Sequence, residues 1–581
     1  MKTKLLAAAS LLSFYACQEK PNHSMLMAEQ SDLKVGVATP KVTLKVHAAD
    51  TFKLNLKNGA LVYGYADQLT ADMVVEIYGP DKKKMAHFDG PARGPELFDF
   101  ATTATGIYKI VVTPFQEQIG DYTLLLKGAE ELAITPEGRV DQMMHMALGD
   151  SARTPGAAIA VQQDGKLIYS KGFGFADLEH DIKITPTTIF HIASVSKQFT
   201  AFSIALLADQ GKLSINDDIR KYLPELHDFG QVITINDLIH HTSGLRDQWS
   251  LLMMAGWRLD DVITQKQIMR VISRQRELNF KPGEESLYCN TGFTLLAEIV
   301  SRVTGESFPD WTRKNIFEPL EMKNTLFYDD HEKIVNNRAY SYYSDNRGYK
   351  KSVLNYANVG ATSLFTTVED LSKWAVNFEK MKVGNPKVMN MMNQRFKLNK
   401  GDTISYAFGQ ETEKYKGLKA YSHGGGDAGY RTYLLRFPDQ HFSVSVFSNL
   451  ASFNPGAICY SLADLYLAKG MVLEKPKEET PAAAPQPKVP FDASTMKLSD
   501  YTGTFYSPEL ETSYTFEVVH DTLVSHHQRH DDFKFIPGRV DGFTSGGYLG
   551  NIEFVRDTKR KITGFKASNG RVRNLAFVKH E

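Results

Sequence analysis

The sequence predicts a multidomain protein. An α/β (α+β) domain with an antiparallel sheet is flanked by an N-terminal β-sandwich and a C-terminal small β-barrel-like domain. Three observations predict this. Apolar residues alternate with a period of two over residues 41–130 and again over 491–581, as half-buried strands do. Residues 135–470 carry strand patterns at both ends and helical patterns between, which fits one sheet completed by the two ends of the domain. Residues 471–490 are rich in Pro, Ala, Lys and Glu and read as a linker. At 581 residues the chain is too long for a single core.

Residues 1–17 read as an export signal. Lys2 and Lys4 supply positive charge, Leu5 to Phe14 form a short apolar core, and Tyr15-Ala16-Cys17 follows. The apolar stretch is too short to span a bilayer, and no later segment is long enough. Cys17 after a small residue resembles a bacterial lipoprotein cleavage site. That resemblance implies a lipid on Cys17 and a protein anchored to the membrane, periplasmic or on the cell surface. Phe14 and Tyr15 fit the usual preceding residues loosely, so a plain secretory signal is the alternative. Residues 18–40 are polar and unpatterned, and suit a flexible tether.

In the sandwich region, Val42, Leu44 and Val46 fall on one face, and Leu54 and Leu56 continue the pattern. Turns are expected at Tyr78-Gly79-Pro80-Asp81 and at Gly120-Asp121, the latter before Tyr122 to Leu126. The mixed domain opens with a hairpin, Ala157 to Val161 and Leu167 to Tyr169 around Asp164-Gly165. A helix is expected from Phe199 to Gln210, ended by Gly211. A second hairpin closes the domain, with Tyr433 to Phe437 and Phe442 to Phe447 flanking Pro438-Asp439. In the last region Tyr514, Phe516 and Val518 share a face, as in a small barrel or curved sheet.

Lys and Arg together number 67, as do Asp and Glu, so the formal net charge is zero. With no basic stripe, nucleic acid is not an expected partner. Of the three cysteines, Cys289 and Cys459 could pair in an oxidising compartment, but two unpaired buried thiols are the favoured reading.

The chemistry centres on Ser194 and Lys197. They stand as S-x-x-K just before an apolar helical run, so an amine lies one helical turn from a hydroxyl. The handling of a serine proton by a nearby lysine is the arrangement of serine β-lactamases and penicillin-binding proteins. The same pattern recurs at Ser31–Lys34 and Ser494–Lys497, but neither precedes a long apolar helix. Two further motifs support Ser194: Tyr288-Cys289-Asn290, leading into the apolar run Phe293 to Val300, and His423-Gly424-Gly425-Gly426, preceding a strand.

In this order the three motifs resemble the class C β-lactamase family and its esterase and D-peptidase relatives. The resemblance covers about residues 140–465 and includes Leu238 to Leu245, similar to that family's loop ahead of the active site. It implies a β-lactamase/transpeptidase-like catalytic domain, with Ser194 acylated and Lys197 and Tyr288 handling protons. Asn290 would hydrogen-bond the substrate amide or the lysine. His423, Gly425 and Gly426 would line the substrate side, and the N–H groups of Ser194 and Gly426 would form the oxyanion hole. No metal or organic cofactor is implied.

One departure matters. Class C β-lactamases carry a second lysine in the third motif, where this chain has His423, expected to be neutral at pH 7. Tyr288 then has weaker electrostatic help, and Lys197 is expected to carry more of the base role. A His-Gly pair also offers no dependable cation or hydroxyl to a substrate carboxylate. The expected substrate is therefore an ester or peptide-like amide, such as a D-amino-acid peptide, a cell-wall fragment or a small ester. A true β-lactamase or D-alanyl-D-alanine carboxypeptidase is the alternative enzyme, and a non-catalytic cell-surface peptide-binding protein is the alternative of another class. The sequence leaves the oligomeric state open.

Several motifs are set aside. Ser344-Asp345-Asn346 reads as a turn, and Tyr356-Ala357-Asn358 leads into no apolar helix. No G-x-S-x-G elbow occurs, against an α/β-hydrolase. In a single strand His526 and His530 would share a face with His527 opposite. No second ligand cluster accompanies them, so a solvated strand end or turn is preferred. His240-His241 reads as structural.

Overall fold

The computed structural model describes residues 32–580, apart from 91, 93, 117, 149–152, 473–490 and 492–495. The export segment with Cys17, the start of the tether, the linker's residues 473–490, Ser31 and Ser494 lie outside the described residues. The chain forms two compact units, residues 1–146 and 147–581.

The first unit is a sandwich of two four-stranded antiparallel sheets. One runs Val42–Leu44, Gly120–Glu131, Ala60–Gln68, Gly94–Ala101, and the other Asp50–Leu56, Gly106–Pro114, Met73–Tyr78, Lys84–Phe88. Alternation fills the space between them. Tyr108, Ile110 and Val112 are buried, while Ile107, on the opposite pleat, is exposed.

Three expectations need correction here. The tether is shorter than 18–40, because Gly36 and Thr39 donate backbone hydrogen bonds to Leu126 and Leu124 and so extend the sheet edge. Val46 lies beyond the strand, which turns at His47 with φ of 58°. Gly120-Asp121 begins a strand and is no turn. The glycine is needed because a Cβ there would stand 2.3 Å from the Ala71 Cβ. The helix Pro136–Leu148 follows the sandwich, with its Gln142 and Arg139 bonded to the carbonyls of Glu131 and Ala133.

The second unit holds a six-stranded antiparallel sheet ordered Lys166–Phe173, Ala157–Gln163, Phe442–Ser448, Tyr430–Phe437, Leu418–Asp427, Glu411–Tyr415. The first two strands come from the start of the domain and the other four from its end. The seam joins Ala160 to Ser445. Both expected hairpins are present. Helices Val368–Lys380 and Pro455–Leu467 pack on the sheet. The helix Ser196–Asp209 packs against Asn290–Thr304 and is buried on every side from Ser196 to Leu207, as suits a central core helix. Gly211, with φ of 69°, follows its end as expected.

The same unit ends in a closed eight-stranded barrel, Gly503–Ser507 through Val572–Lys579. Its interior is filled by Phe505, Phe516, Phe554, Phe565 and Phe577, with Phe565 and Phe577 stacked at 4.5 Å. A barrel of this size closed on aromatic side chains is a packed core. It is fastened to the catalytic domain. Leu251 and Met254 join the barrel's apolar cluster, and Arg246, with a fully buried side chain, pairs with Glu509 at 2.8 Å.

Candidate active site

Ser194 stands on a sharp turn between a short strand and the central helix. Phe190–His191 is the strand, Ala193–Val195 a single 3₁₀ turn, and Ser196–Asp209 the helix. Ala193 takes a left-handed φ of 48°, a strained conformation for a residue with a Cβ, directly before the nucleophile. Surrounding bonds hold that geometry. Ser196 Oγ donates to the Ala193 carbonyl at 2.5 Å and accepts the Leu364 N–H at 3.2 Å. Thr432 Oγ1 donates to the Ile192 carbonyl at 2.9 Å. Ser194 itself is half-buried while its neighbours are buried.

Lys197 Nζ lies 3.0 Å from Ser194 Oγ, 2.8 Å from Asn290 Oδ1 and 2.7 Å from the Ala361 carbonyl. The last two can only accept. The Asn290 amide is oriented because its Nδ2 donates to Asp247 Oδ2 at 2.8 Å, which turns Oδ1 toward the lysine. A neutral amine has two N–H bonds and one lone pair. Its two hydrogens go to Asn290 and Ala361, and the lone pair faces Ser194. Burial lowers the Lys197 pKa to about 7, opposed by the negative charges of Asp247 and Asp427 and reinforced by Arg571. The amine can therefore be uncharged near neutral pH.

The third motif forms strand Leu418–Asp427, which runs beside the nucleophile turn. Gly425 makes the approach possible. A Cβ there would stand 2.3 Å from Thr432 Oγ1 and 2.4 Å from the Ile192 carbonyl. The structure thus gathers Ser194, Lys197, Tyr288, Asn290 and the His423–Gly426 strand from three separate segments.

Residues 137–465, more than half of the chain, match the family described as Beta-lactamase. The chain belongs to the β-lactamase family. Over 295 residues it is 28% identical to a D-aminopeptidase of Gluconobacter oxydans (strain 621H), covering 51% of this chain and 56% of that protein. It is 29% identical over 314 residues to protein flp of Staphylococcus aureus (strain N315), covering 51% of this chain and 60% of that one. The chain thus spans little more than half the length of these curated relatives. The octameric penicillin-binding protein homologue from Pyrococcus abyssi shares the fold, with a TM-score of 0.51 at 22% identity over 76% of this chain and 99% of that one.

Within this β-lactamase-family site the electrostatics are uneven. The Tyr288 hydroxyl is buried, and burial raises its pKa far above the ordinary tyrosine value, with Ser194 and Arg571 pulling the other way. It is a neutral phenol with the Ser194 hydroxyl beside it. Burial and the Lys197 charge lower the His423 pKa to about 3, so the ring is neutral. Its tautomer is set: Nδ1–H donates to the Gly424 carbonyl at 2.6 Å, and Nε2 accepts from the Tyr406 hydroxyl at 3.1 Å. Asp427, at the end of the same strand, accepts from Thr362 Oγ1 at 2.6 Å, and burial raises its pKa.

Sequence reasoning missed Asp247, Tyr406, Asp427 and Arg571. Only Asp427 adjoined a motif. The others arrive from loops and from the barrel, and only the fold brings them near. The set-aside motifs have structural roles. Ser344-Asp345-Asn346 runs into the turn between strands Tyr342–Asp345 and Gly348–Lys351. Asn358 accepts from Gln248 Nε2 at 2.9 Å. His526 and His530 lie on successive strands, with His527 and His530 paired across the hairpin, so the single-strand arrangement does not occur. His240 has its two ring nitrogens 3.0 Å from the carbonyls of Asn236 and Gln394 and donates its one N–H to either, while His241 accepts the Cys289 N–H and packs 4.3 Å from the Tyr288 ring. Cys289 and Cys459 are free and buried. Among the described residues no helix is long and apolar enough to cross a membrane.

Proposed function

We propose that this chain is a serine hydrolase that is acylated on Ser194 and cleaves peptide-like amides or esters, with D-amino-acid peptides the favoured class. The observation that carries the reading is the Lys197 amine, 3.0 Å from Ser194 Oγ, with its pKa lowered to about 7 and its two N–H bonds engaged elsewhere. Lys197 takes the Ser194 proton as Oγ attacks the substrate carbonyl. The N–H groups of Ser194 and Gly426 stabilise the oxyanion. The tetrahedral intermediate then expels the amine or alcohol, which leaves with a proton from the Tyr288 hydroxyl. Lys197 restores that proton. Water, deprotonated by the same amine, attacks the acyl-enzyme and frees Ser194.

The D-aminopeptidase name of a relative supports the substrate class. A binding protein would have no use for a buried lysine held close to its uncharged form. The apolar segment ahead of Cys17 supports export and lipid anchoring. The test is labelling by a fluorophosphonate probe, followed by assays on p-nitrophenyl esters, D-alanyl peptides and a cephalosporin. Wild-type protein is expected to label and to hydrolyse ester or D-peptide, and Ser194→Ala to do neither. Equal labelling of both would overturn the reading.

A further inference from the structure

We propose that Arg571, carried by the C-terminal barrel, is a specificity residue of this site and binds a free carboxylate on the substrate; the inference rests on the hydrolase reading above. Arg571 lies in the turn between barrel strands Ile562–Asn569 and Val572–Lys579. Its guanidinium carbon sits 5.0 Å from the centre of the Tyr288 ring, and Lys197 Nζ sits 4.9 Å from the same centre. The barrel therefore delivers a permanent cation to the ring beside the reacting groups.

The backbone beneath this arginine is fixed. Its carbonyl accepts the Asp247 N–H at 3.3 Å and Asn279 Nδ2 at 3.0 Å. Asp247 is the residue that orients Asn290. Two positions on, Arg573 donates its N–H to Asn279 Oδ1 at 2.7 Å and pairs with Glu285 at 3.0 Å. The Arg573 carbonyl accepts from the buried Arg246 at 3.1 Å. The turn is thus clamped to the catalytic domain at Arg571 itself and at Arg573.

The neighbouring arginines have acidic partners, Glu509 for Arg246 and Glu285 for Arg573. Among the described residues no carboxylate pairs with the Arg571 guanidinium, and the residue is exposed. A guanidinium stacked on an aromatic face keeps its planar fork of N–H donors available, and that fork matches a carboxylate. In the catalytic domain the Arg431 guanidinium lies beside Gly426, but its Nη1 already donates to the carbonyls of Ala428 and Tyr430. His423 is neutral, and the Lys197 hydrogens are committed to Asn290 and Ala361. The carboxylate-binding cation missing from the third motif is thereby supplied from the barrel.

The test is competition against Ser194-dependent p-nitrophenyl ester hydrolysis. The competitors are a short D-peptide with a free C-terminal carboxylate and the same peptide as its C-terminal amide. In wild-type enzyme the free acid is expected to inhibit with a Ki at least tenfold lower than the amide. In Arg571→Ala the ratio is expected to fall to about one, and Arg571→Lys to restore part of it. The ratio is insensitive to a general loss of activity. Equal Ki values in wild type, or a ratio that survives in Arg571→Ala, would overturn the inference while leaving the hydrolase reading standing. Absence of any Ser194-dependent ester hydrolysis would overturn both.

Discussion

Asp247 Oδ2 accepts two hydrogen bonds from Asn290, one from its backbone N–H at 2.7 Å and one from its side-chain Nδ2 at 2.8 Å. One carboxylate oxygen therefore fixes both the start of helix Asn290–Thr304 and the direction of the amide that faces Lys197. Asp247 Oδ1 meanwhile caps helix Gln248–Met254 through Trp249 and Ser250. An Asp247→Asn variant keeps an acceptor for the cap but points an N–H₂ at two donors. Charge-assisted hydrogen bonds of this kind contribute about 1.5–3 kcal/mol each. The expected outcome is a fall in kcat/KM of at least tenfold with the fold retained, checked by steady-state kinetics beside far-UV circular dichroism.

Lys197 sets the pH dependence. Its ammonium form has no lone pair for Ser194, so acylation is expected to fall about tenfold per pH unit below about 7 and to level off above it. Asp427 and Asp247 oppose the loss of the lysine proton and Arg571 favours it, so the limb belongs to the coupled group. Lys197→Met is expected to slow acylation by about 10²–10⁴-fold and to remove this limb. Stopped-flow acylation across pH 5–9 checks both, and near-normal acylation of the variant at pH 7 would sink the assignment of the base.

Two adjacent glycines should behave differently. Gly425→Ala forces its Cβ against the Ile192 carbonyl and Thr432, and so displaces the turn that carries Ser194. At Gly426 the nearest atom to a new Cβ is 3.7 Å away. Gly425→Ala is expected to lose nearly all ester turnover and several degrees of melting temperature. Gly426→Ala is expected to keep the wild-type melting temperature. Thermal melts of the pair decide it.

Arg246 and Glu509 make a buried pair between catalytic domain and barrel. Removing one partner leaves the other charge buried, at a cost of about 3–5 kcal/mol. Arg246→Ala is expected to show a lowered urea midpoint. It should also speed the release of the barrel in limited proteolysis, as the barrel loosens from its dock.

Cephalosporin turnover is expected to be slow. His423 is uncharged and already bonded to Tyr406 and Gly424, so the third motif offers a β-lactam carboxylate no charge; Arg571 over the Tyr288 ring is then the remaining cation, and Arg571→Ala is expected to slow turnover further. Rapid hydrolysis of a chromogenic cephalosporin would contradict this.

Much of this arrangement could be read from the sequence. Asp164-Gly165 and Pro438-Asp439 are turn chemistry between alternating strands, so both hairpins and the sheet they build were legible. Ser194 and Lys197 stand one helical turn apart, and Tyr288 and Asn290 flank the extended Cys289 at the start of a helix, so both spacings are short and local. Tyr406 and Arg571 carry no local pattern, because a single residue on a loop has no periodicity and meets the site only through tertiary packing. Gly120 was misread for the opposite reason: a glycine required by a close neighbour looks the same in sequence as one required by a turn. His526 and His530 lie at strand ends around a turn at 528–529, as the preferred reading of that histidine cluster expects.

The sheet has a consequence for the order of events during synthesis. Ala157–Gln163 waits for Phe442–Ser448 before its seam can close, and the Ile192 carbonyl waits for Thr432. The Asp247 N–H waits longer still, for the Arg571 carbonyl. Translation delivers residues at roughly 5–20 per second, so the nucleophile leaves the ribosome many seconds before the groups that hold it. The set of contacts around Ser194 and Lys197 is therefore complete only after residue 571 has been delivered and the barrel has docked.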